Sequence, residues 1–318
     1  MAGKKEQKRK APEQAHLPFE REGVSILSPL RYPGGKKRLA SYIAETLKLN
    51  RFRPQLFVEP LAGGASVALQ LLNDDLVDTI ALCDRDPMVA SFWQTVFTDH
   101  EWLVDQLSKI ELTLENWLRF KYGRFRSTRT LALACIFLNR TSFSGILSPT
   151  AGPIGGFSQT SEYKLDCRFN VEAVTKRIEQ AAELADRVIF VKEGGWRQAV
   201  KSVKVRRYGA GEVLYYFDPP FYEKADRLYR YYFNHDDHQA LHDALLGLGQ
   251  HWILSYDAAE TIINMYTRNG IGPKQVELLY STTKPGELVK SQELIITSLP
   301  KLPKATRLWR TAEEWRAS

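Results

Sequence analysis

The side chains best suited to chemistry lie in the run EVLYYFDPPF at 212–221. An apolar stretch typical of a buried strand stops at Asp218, and Pro219 and Pro220 then fix the backbone without offering N–H groups. Phe221 follows just past the strand end, where ligands bind in open α/β sheets. The Asp218 carboxylate and the Pro219 carbonyl can act together as acceptors beside an aromatic ring. This arrangement suits the exocyclic amino group of a planar base, although a rigid turn that only ends a strand has the same sequence.

A second candidate is the glycine-rich loop PLAGGAS at 60–66, which follows a short apolar run at 56–58. Loops that lead from a strand into a helix let a ligand approach the backbone closely. The next apolar run, TIALCD, ends at Asp84, where an acid suits hydrogen bonds to ribose hydroxyls. Because the loop lacks G-x-G-x-x-G, nicotinamide or flavin binding is poorly supported.

Two other patterns suggest chemistry that the spacing does not support. YPGGKKR at 32–38 resembles a phosphate loop, but it lacks G-x-x-x-x-G-K-[ST], which argues against an ATPase. His238 and His242 are four residues apart without the glutamate of H-E-x-x-H. We therefore expect surface histidines and no metal site.

The elements that must position these residues alternate between strands and helices. Apolar runs predict strands at 56–58, 79–84, 187–191, 212–217, 251–256 and 292–298. Helical spacing occurs at 39–47, from 66 onward, and at 99–110, 129–140, 236–248 and 258–269. This alternation predicts an α/β fold with a mainly parallel sheet. The segment 140–161, rich in Ser, Thr, Gly and Pro, predicts a long functional loop.

Length and composition indicate a soluble globular protein of one large or two modest domains, and exclude a wholly disordered or fibrous chain. The 318 residues are 44% hydrophobic and 25% charged, with a formal net charge of +7. The first ten residues hold five basic side chains and one acidic one, so 5 − 1 = +4 lies there and +3 lies in the remainder. Residues 1–16 are expected to form a mobile arm, which either is simply solvated or seeks nucleic acid.

The location of the protein is predicted from what the sequence lacks. No apolar run approaches the roughly 20 residues that span a bilayer, and no hydrophobic segment follows the charged amino-terminal residues. Cys83, Cys135 and Cys167 are far apart, without the spacing of a disulfide framework or a zinc site. We expect no membrane contact, a reducing cytoplasmic compartment and association with the nucleoid.

Taken in order, these motifs resemble the Dam-like (D12 class) adenine-N6 DNA methyltransferases. The match runs through RYPGGK at 31–36, FVEPLAGGASV at 57–67, Asp84, LNRTSFSG at 138–145, DPPF at 218–221 and ELIITS at 293–298. Each motif is weak alone, but the ordered combination is specific and spans roughly residues 27–300. The resemblance implies S-adenosylmethionine as cofactor, adenine in double-stranded DNA as substrate, base flipping, and a Rossmann-like fold with an inserted target-recognition domain.

The resemblance also implies roles for individual residues. The catalytic motif would be Asp218, Pro219, Pro220 and Phe221. The residues implied to bind the cofactor are Tyr32, Gly34, Gly35, Lys36, Glu59, Pro60, Leu61, Ala62, Gly63, Gly64, Ser66, Asp84, Arg85, Trp196 and Asp218. Candidate DNA contacts are Arg140, Phe143, Ser144, Ser148, Lys164 and Tyr232.

Domain bounds and partners follow from the same resemblance. We expect a basic arm at 1–26, a catalytic domain at 27–98 and 186–318, and a target-recognition insertion at 99–185. A monomer is expected, with a cognate restriction endonuclease as a further partner.

The sequence departs from the family pattern at several positions. Leu61 stands where the family usually has Phe, Ala65 where many members have Gly, and Gly195-Trp196 where a polar residue often precedes an aromatic one. Ser144 and Ser148 lie where GATC-reading relatives carry Asn and Arg, and Ser cannot replace a bidentate Arg on guanine. We therefore do not assign GATC as the target. Methylation of cytosine N4 or RNA adenine, and a non-catalytic DNA-binding protein, stay open as alternatives.

Overall fold

The computed structural model describes residues 26–31, 37–204, 207–209, 211–222, 230–281 and 288–309. Its helices are α1 Lys37–Leu49, α2 Ser66–Asn73, α3 Pro87–Thr98, α4 His100–Lys109, α5 Leu114–Tyr122, α6 Thr128–Thr141, α7 Val171–Ala182, α8 Trp196–Ser202, α9 His235–Leu246 and α10 Glu260–Thr267. Its strands are β1 Leu56–Glu59, β2 Thr79–Asp84, β3 Val188–Glu193, β4 Val213–Phe217, β5 His251–Asp257, β6 Lys274–Ser281 and β7 Leu288–Thr297. Short 3-10 turns lie at Phe143–Gly145 and Ala185–Arg187.

The strands form one sheet in the order β3-β2-β1-β4-β5-β7-β6. The first five strands in that order are parallel, and β7 is antiparallel to both β5 and β6. β1 and β4 are buried along their whole length, as expected for central parallel strands covered on both faces. The expected α/β fold with a mainly parallel sheet is confirmed.

The topology places the two sequence candidates side by side. The chain order of the strands reverses between β1 and β4, which are hydrogen-bonded neighbours with Leu56 opposite Val213. In open parallel sheets the ligand crevice opens at the carboxyl ends of the strands where the order reverses. The glycine-rich loop after β1 and the DPPF turn after β4 therefore lie at the same edge.

Helices cover both faces of the sheet and produce two apolar cores. One core joins α1, α2 and α3 to one sheet face, and it also contains Trp117, Phe120 and Phe137 from the segment 99–185. The other core lies on the opposite face, among β4, β5, α9 and α10. The segment expected to be an insertion thus shares its core with the sheet. The predicted domain bounds themselves stay a prediction.

Several elements were not expected from the sequence, including α3, α5, α7, α8 and β6. None of the described helices has the length and apolar character needed to cross a bilayer.

Candidate active site

The DPPF turn begins where β4 ends. Five consecutive buried residues lead to Asp218, which is half-buried at the carboxyl edge of the sheet. Pro219 and Pro220 are buried, and Phe221 is half-buried. Because neither proline has an N–H group, the turn leaves no backbone donor at these positions to satisfy. The sheet edge therefore presents the Asp218 carboxylate and the Phe221 ring three residues apart on a backbone that the two prolines make rigid.

Strand β5 holds this turn at both ends. Ser255 Oγ donates to Asp218 Oδ1 at 2.6 Å. The backbone N–H of Tyr222 donates to Asp257 Oδ1 at 2.8 Å. Ser255 and Asp257 are two residues apart on a strand, so their side chains point to the same face. Two contacts from one rigid strand thus fix the turn on either side of the prolines.

The loop after β1 begins with a buried acid. Glu59 is 3% exposed, and its Oε1 accepts from the backbone N–H of Ala68 at 3.0 Å, in the first turn of α2. Burial raises the pKa of Glu59 well above its usual value, the bond from Ala68 lowers it in part, and the charge of Asp218 raises it further. The carboxyl groups at the ends of β1 and β4 are therefore electrically coupled.

Asp84 at the end of β2 shapes the same loop. Its Oδ2 accepts from the backbone N–H of Gly63 and its Oδ1 from that of Asp86, both at 2.8 Å. Burial raises the pKa of Asp84 to about 7. On the other side, Trp93 Nε1 donates to the carbonyl of Gly63 at 2.8 Å. The glycine-rich loop is thus held by an acid from β2 and an indole from α3.

The chemistry of these acids indicates the kind of ligand that fits. Within the described part of the chain, neither Glu59 nor Asp84 has an ion-pair partner. Buried carboxylates that have no cationic partner are suited to a ligand that brings its own positive charge and hydroxyl donors.

The family comparison decides the identity. A model of the D12 class N6 adenine-specific DNA methyltransferases matches residues 32–281, which is more than three quarters of the chain. The chain belongs to this family. S-adenosylmethionine is its cofactor, and that molecule brings the positive charge of a sulfonium together with amino and ribose hydroxyl groups that can donate to acidic side chains.

Comparisons with solved structures give weaker likenesses. The rRNA methyltransferase aviRa from Streptomyces viridochromogenes has 11% identity and a TM-score of 0.39, with 86% of this chain and 90% of that chain covered. The precorrin-6y C5,15-methyltransferase from Geobacter metallireducens has 11% identity and a TM-score of 0.34, with 86% and 90% covered. At these scores neither structure informs the substrate of this methyltransferase. No match was found among curated proteins.

The remaining cofactor candidates occupy different environments. Pro60, Ala62, Gly63 and Gly64 are buried in the loop, and Ser66 is the first residue of α2. Leu61 is partly buried against the second core. Tyr32, Gly34, Gly35 and Lys36 lie outside the described residues.

Trp196 and Arg85 lie at the two neighbouring strand ends. Trp196 is the first residue of α8 and is 7% exposed. Its ring packs edge to face against Phe217, with 6.4 Å between the ring centroids. The Arg197 guanidinium lies 4.4 Å from the centroid of the Trp196 ring. Arg85 follows β2, and its guanidinium lies 5.1 Å from the centroid of the Tyr231 ring.

The DNA-contact candidates divide into exposed and buried residues. Phe143 is 54% exposed, Tyr232 is 51% exposed, and Lys164 is exposed as well. Ser144 is half-buried and has a positive φ of 56°. Ser148 is 2% exposed, and its hydroxyl pairs with that of Thr150 at 3.1 Å. Ser148 therefore presents no open surface for a base contact.

Arg140 is also buried, at 7% exposed, and it donates to the carbonyl of Pro29. Burial, together with the nearby charges of Arg177 and Arg31, lowers the pKa of Arg140 to about 10. Among the residues that the structure describes, Arg31 and Arg140 have no ion-pair partner, and Arg31 Nη1 and Arg140 Nε are buried without a hydrogen bond. Arg31 and Arg140 thus bring positive charge to the base of the segment 99–185, and no acidic side chain of the described residues pairs with it.

Two findings differ from the sequence analysis. The prediction of surface histidines is wrong, because His238 and His242 are 1% and 4% exposed. His238 Nδ1 lies 2.5 Å from Tyr256 Oη, and His242 Nε2 lies 2.9 Å from Asn269 Nδ2, so α9 packs these rings against β5 and α10. The sequence analysis also missed Ser255, whose only signal is a polar residue inside the apolar run HWILSY.

Proposed function

We propose that this methyltransferase transfers the methyl group of S-adenosylmethionine to the N6 amino group of adenine in a specific double-stranded DNA sequence. The observation that carries the proposal is the position of Asp218. Its carboxylate lies at the carboxyl edge of the sheet, next to the loop after β1 and held by Ser255. An acceptor in this position suits an amino group that must approach the cofactor loop.

The target amine needs help because adenine N6 shares its lone pair with the ring. Acceptors at the Asp218 carboxylate and the Pro219 carbonyl favour the tetrahedral amine, whose lone pair is available. They also stabilise the positive charge that develops on nitrogen as the methyl group arrives. The cofactor supplies a methyl group activated by its sulfonium. Holding the amine in line with that group provides the rest of the acceleration, and no covalent enzyme intermediate is required.

The cofactor would be held by the loop after β1 and by the strand ends around it. Glu59, the backbone at 60–64 and Ser66 would border it, and Asp84 would accept from the ribose hydroxyls. Tyr32 and the Gly34-Gly35-Lys36 segment would border its methionine end, and Trp196 and Arg85 its remaining sides. Asp84 supports this assignment, because its two oxygens already order the loop and each retains a lone pair.

Base flipping is part of the proposal, because a stacked adenine cannot reach a crevice at a sheet edge. Phe221 is half-buried directly after the prolines, where its ring can replace the stacking that the flipped base loses.

The DNA duplex would lie against the 99–185 side of the crevice. The uncompensated charge of Arg31 and Arg140 raises the positive potential there. Exposed Phe143, Lys164 and Tyr232 are the proposed direct contacts, with Ser144 next to Phe143 on the same turn. We leave Ser148 out of this interface because its hydroxyl is buried.

The deciding experiment is expression in cells that lack adenine methylation, followed by mapping of modified bases in DNA and RNA. The expected result is N6-methyladenine at one DNA motif. Methylation of cytosine N4 or of RNA alone would overturn the proposal. Absence of S-adenosylmethionine binding would favour a non-catalytic DNA-binding protein.

Substitution of Asp218 tests whether this residue acts in methyl transfer and not in cofactor binding. Asp218→Ala should abolish methyl transfer and leave cofactor affinity within a few-fold of the wild type, because the substitution removes the acceptor for the amine and not the loop after β1. A methylation assay beside a calorimetric titration with S-adenosylmethionine measures both. Retained transfer in Asp218→Ala would contradict the assigned role.

The monomeric state, the restriction endonuclease partner and the cytoplasmic, nucleoid-associated location stay predictions.

A further inference from the structure

Among the described residues, Asp218 belongs to a hydrogen-bonded chain that also contains Ser255 and Tyr216. Tyr216 Oη lies 2.9 Å from Ser255 Oγ, and Ser255 Oγ lies 2.6 Å from Asp218 Oδ1. Tyr216 is 2% exposed and Ser255 is fully buried. Ser255 has a single proton, which it gives to the carboxylate, so the proton between the two hydroxyls comes from Tyr216. Donation therefore runs from Tyr216 through Ser255 to Asp218.

Tyr216 and Ser255 lie on the neighbouring strands β4 and β5, and Asp218 directly follows the end of β4. Phe217 of β4 pairs with Leu254 of β5, so Asp218 and Ser255 each lie one residue beyond that pair. Tyr216 lies two residues before Asp218 and therefore faces the same side. Positions on rigid strands hold a functional group more accurately than positions on loops.

The chain strengthens the bond that holds the Asp218 carboxylate. A hydrogen bond to a charged acceptor is stronger than one between neutral groups, and successive bonds in a buried chain polarise one another. A carboxylate can only accept hydrogen bonds, and the N–H of a target amine requires an acceptor of that kind. The bond at Oδ1 also fixes how the carboxylate is turned before any substrate arrives.

We infer that Ser255 and Tyr216 are positioning residues, which hold the Asp218 carboxylate ready to accept from the target amino group. Neither residue touches the substrate. The inference rests on the proposed function in one respect, namely that Asp218 is the acceptor for the amine.

Substitutions at Ser255 separate the hydrogen bond from packing. Ser255→Ala is expected to lower kcat by about 10- to 100-fold, the scale of a misplaced catalytic group. The affinity for S-adenosylmethionine and the KM for DNA should stay within about twofold, because Ser255 contacts neither in this scheme. Ser255→Cys fills a similar volume but donates poorly, so its kcat should fall nearly as far. Ser255→Thr keeps the hydroxyl and should retain most activity.

Substitutions at the tyrosines supply a matched control. Tyr216→Phe is expected to lower kcat by about three- to tenfold, since it weakens the donor without removing it. Tyr215→Phe removes the same hydroxyl one residue earlier and should leave kcat unchanged, because Tyr215 Oη is buried without a hydrogen bond to any described residue. Because the effect of Tyr216 passes through Ser255, adding Tyr216→Phe to Ser255→Ala should cause little further loss.

A spectroscopic measurement tests the chain without turnover. In full-length protein labelled with ¹³C at aspartate carboxyl groups, the Asp218 resonance is identified by its absence in Asp218→Asn. It should move in Ser255→Ala and in Tyr216→Phe, and stay in place in Tyr215→Phe. A wild type that binds S-adenosylmethionine but does not methylate DNA would count against the proposed function alone, since the resonance would still report on the chain. The inference is overturned if the resonance stays in place in both variants. It is also overturned if an active wild type is matched within twofold by both Ser255→Ala and Ser255→Cys.

Discussion

We expect Asp84 to make cofactor binding dependent on pH. Burial raises the pKa of this carboxyl to about 7, so in the folded protein it keeps its proton below that pH and is ionised above it. The ionised form is the stronger acceptor for hydroxyl donors. We therefore expect affinity for S-adenosylmethionine to increase by up to about tenfold between pH 6 and pH 8, as the ionised fraction rises. Calorimetric titration at several pH values measures this increase.

Asp84→Asn is the control for that titration. The amide keeps the shape of the side chain but does not titrate, so the variant should bind more weakly at pH 8 and show a flat pH profile. A wild-type affinity that falls on going from pH 6 to pH 8, or an equally steep profile in Asp84→Asn, would contradict the role given to Asp84.

Phe221 supplies a prediction on the DNA side. Stacking of a base on an aromatic ring contributes roughly 1–3 kcal/mol. Phe221→Ala should therefore lose most of its activity, by about 10- to 100-fold, while Phe221→Tyr and Phe221→Trp retain much of it. Steady-state methylation assays with one DNA substrate compare the three variants. Equal losses in all three would rule out stacking as the role of this ring.

At the scale of residues, the sequence reveals groups that break a local pattern. Asp218 ends an apolar run before two prolines, and Asp84 ends the next run after a glycine-rich loop, so both are visible in the sequence. Ser255 is a single small polar residue within a strand, and only the pairing of β4 with β5 brings it to Asp218. The burial of His238 could not be predicted from the sequence, because it depends on contact with Tyr256, eighteen positions away.

At the scale of elements, the start of α2 shows a local strain. Ala65 precedes the helix with φ 48° and ψ 27°, in the left-handed region that costs a non-glycine residue about 1–2 kcal/mol. Ala65→Gly would relieve this cost, which favours the folded state. It would also remove a buried methyl group and increase the entropy of the unfolded chain, which both favour the unfolded state. These effects nearly cancel, so the free energy of unfolding should change by less than about 1 kcal/mol. Urea denaturation measures the difference.

Ala68→Gly is the matched substitution. Ala68 is equally buried but lies in the regular part of α2, where glycine costs about 1 kcal/mol in helix propensity and nearly another for the lost methyl group. The free energy of unfolding should therefore fall by about 2 kcal/mol in this variant. Similar losses in Ala65→Gly and Ala68→Gly would show that the backbone at position 65 is not strained.

Elements with a clear period or a continuous apolar run were predictable, and the others were not. The runs at 56–58, 79–84 and 251–256 give strands because central parallel strands are apolar on both faces. In helix α3 eight of the twelve residues are buried, so its apolar face is broad and stands out little from the polar face. Strand β6 has charged residues between its apolar ones and lies at the edge of the sheet, where the signal is weak.

At the scale of the whole molecule, the charge distribution separates affinity from sequence choice. Most of the net charge of +7 lies in the first ten residues. Removal of residues 1–16 should weaken DNA binding at low salt and reduce the slope of log K against log salt concentration by up to about 4. The methylated motif should stay the same. Binding titrations across a salt series, with motif mapping of the shortened protein, measure both.

A change of motif in the shortened protein would show that the arm reads sequence. An unchanged salt slope would show that the arm does not contact phosphate.

If the segment 99–185 reads the target as proposed, the core that it shares with the sheet should limit how the target sequence can change. Trp117, Phe120 and Phe137 belong to the same apolar cluster as Leu39 and Phe57. Exchange of the whole segment with that of a relative would therefore remove part of the core beneath the catalytic edge. Substitutions confined to the surface turns around Phe143 and Lys164 leave that core intact. We therefore expect target sequences among related proteins to differ through the replacement of single loop residues, and not through exchange of the whole segment 99–185.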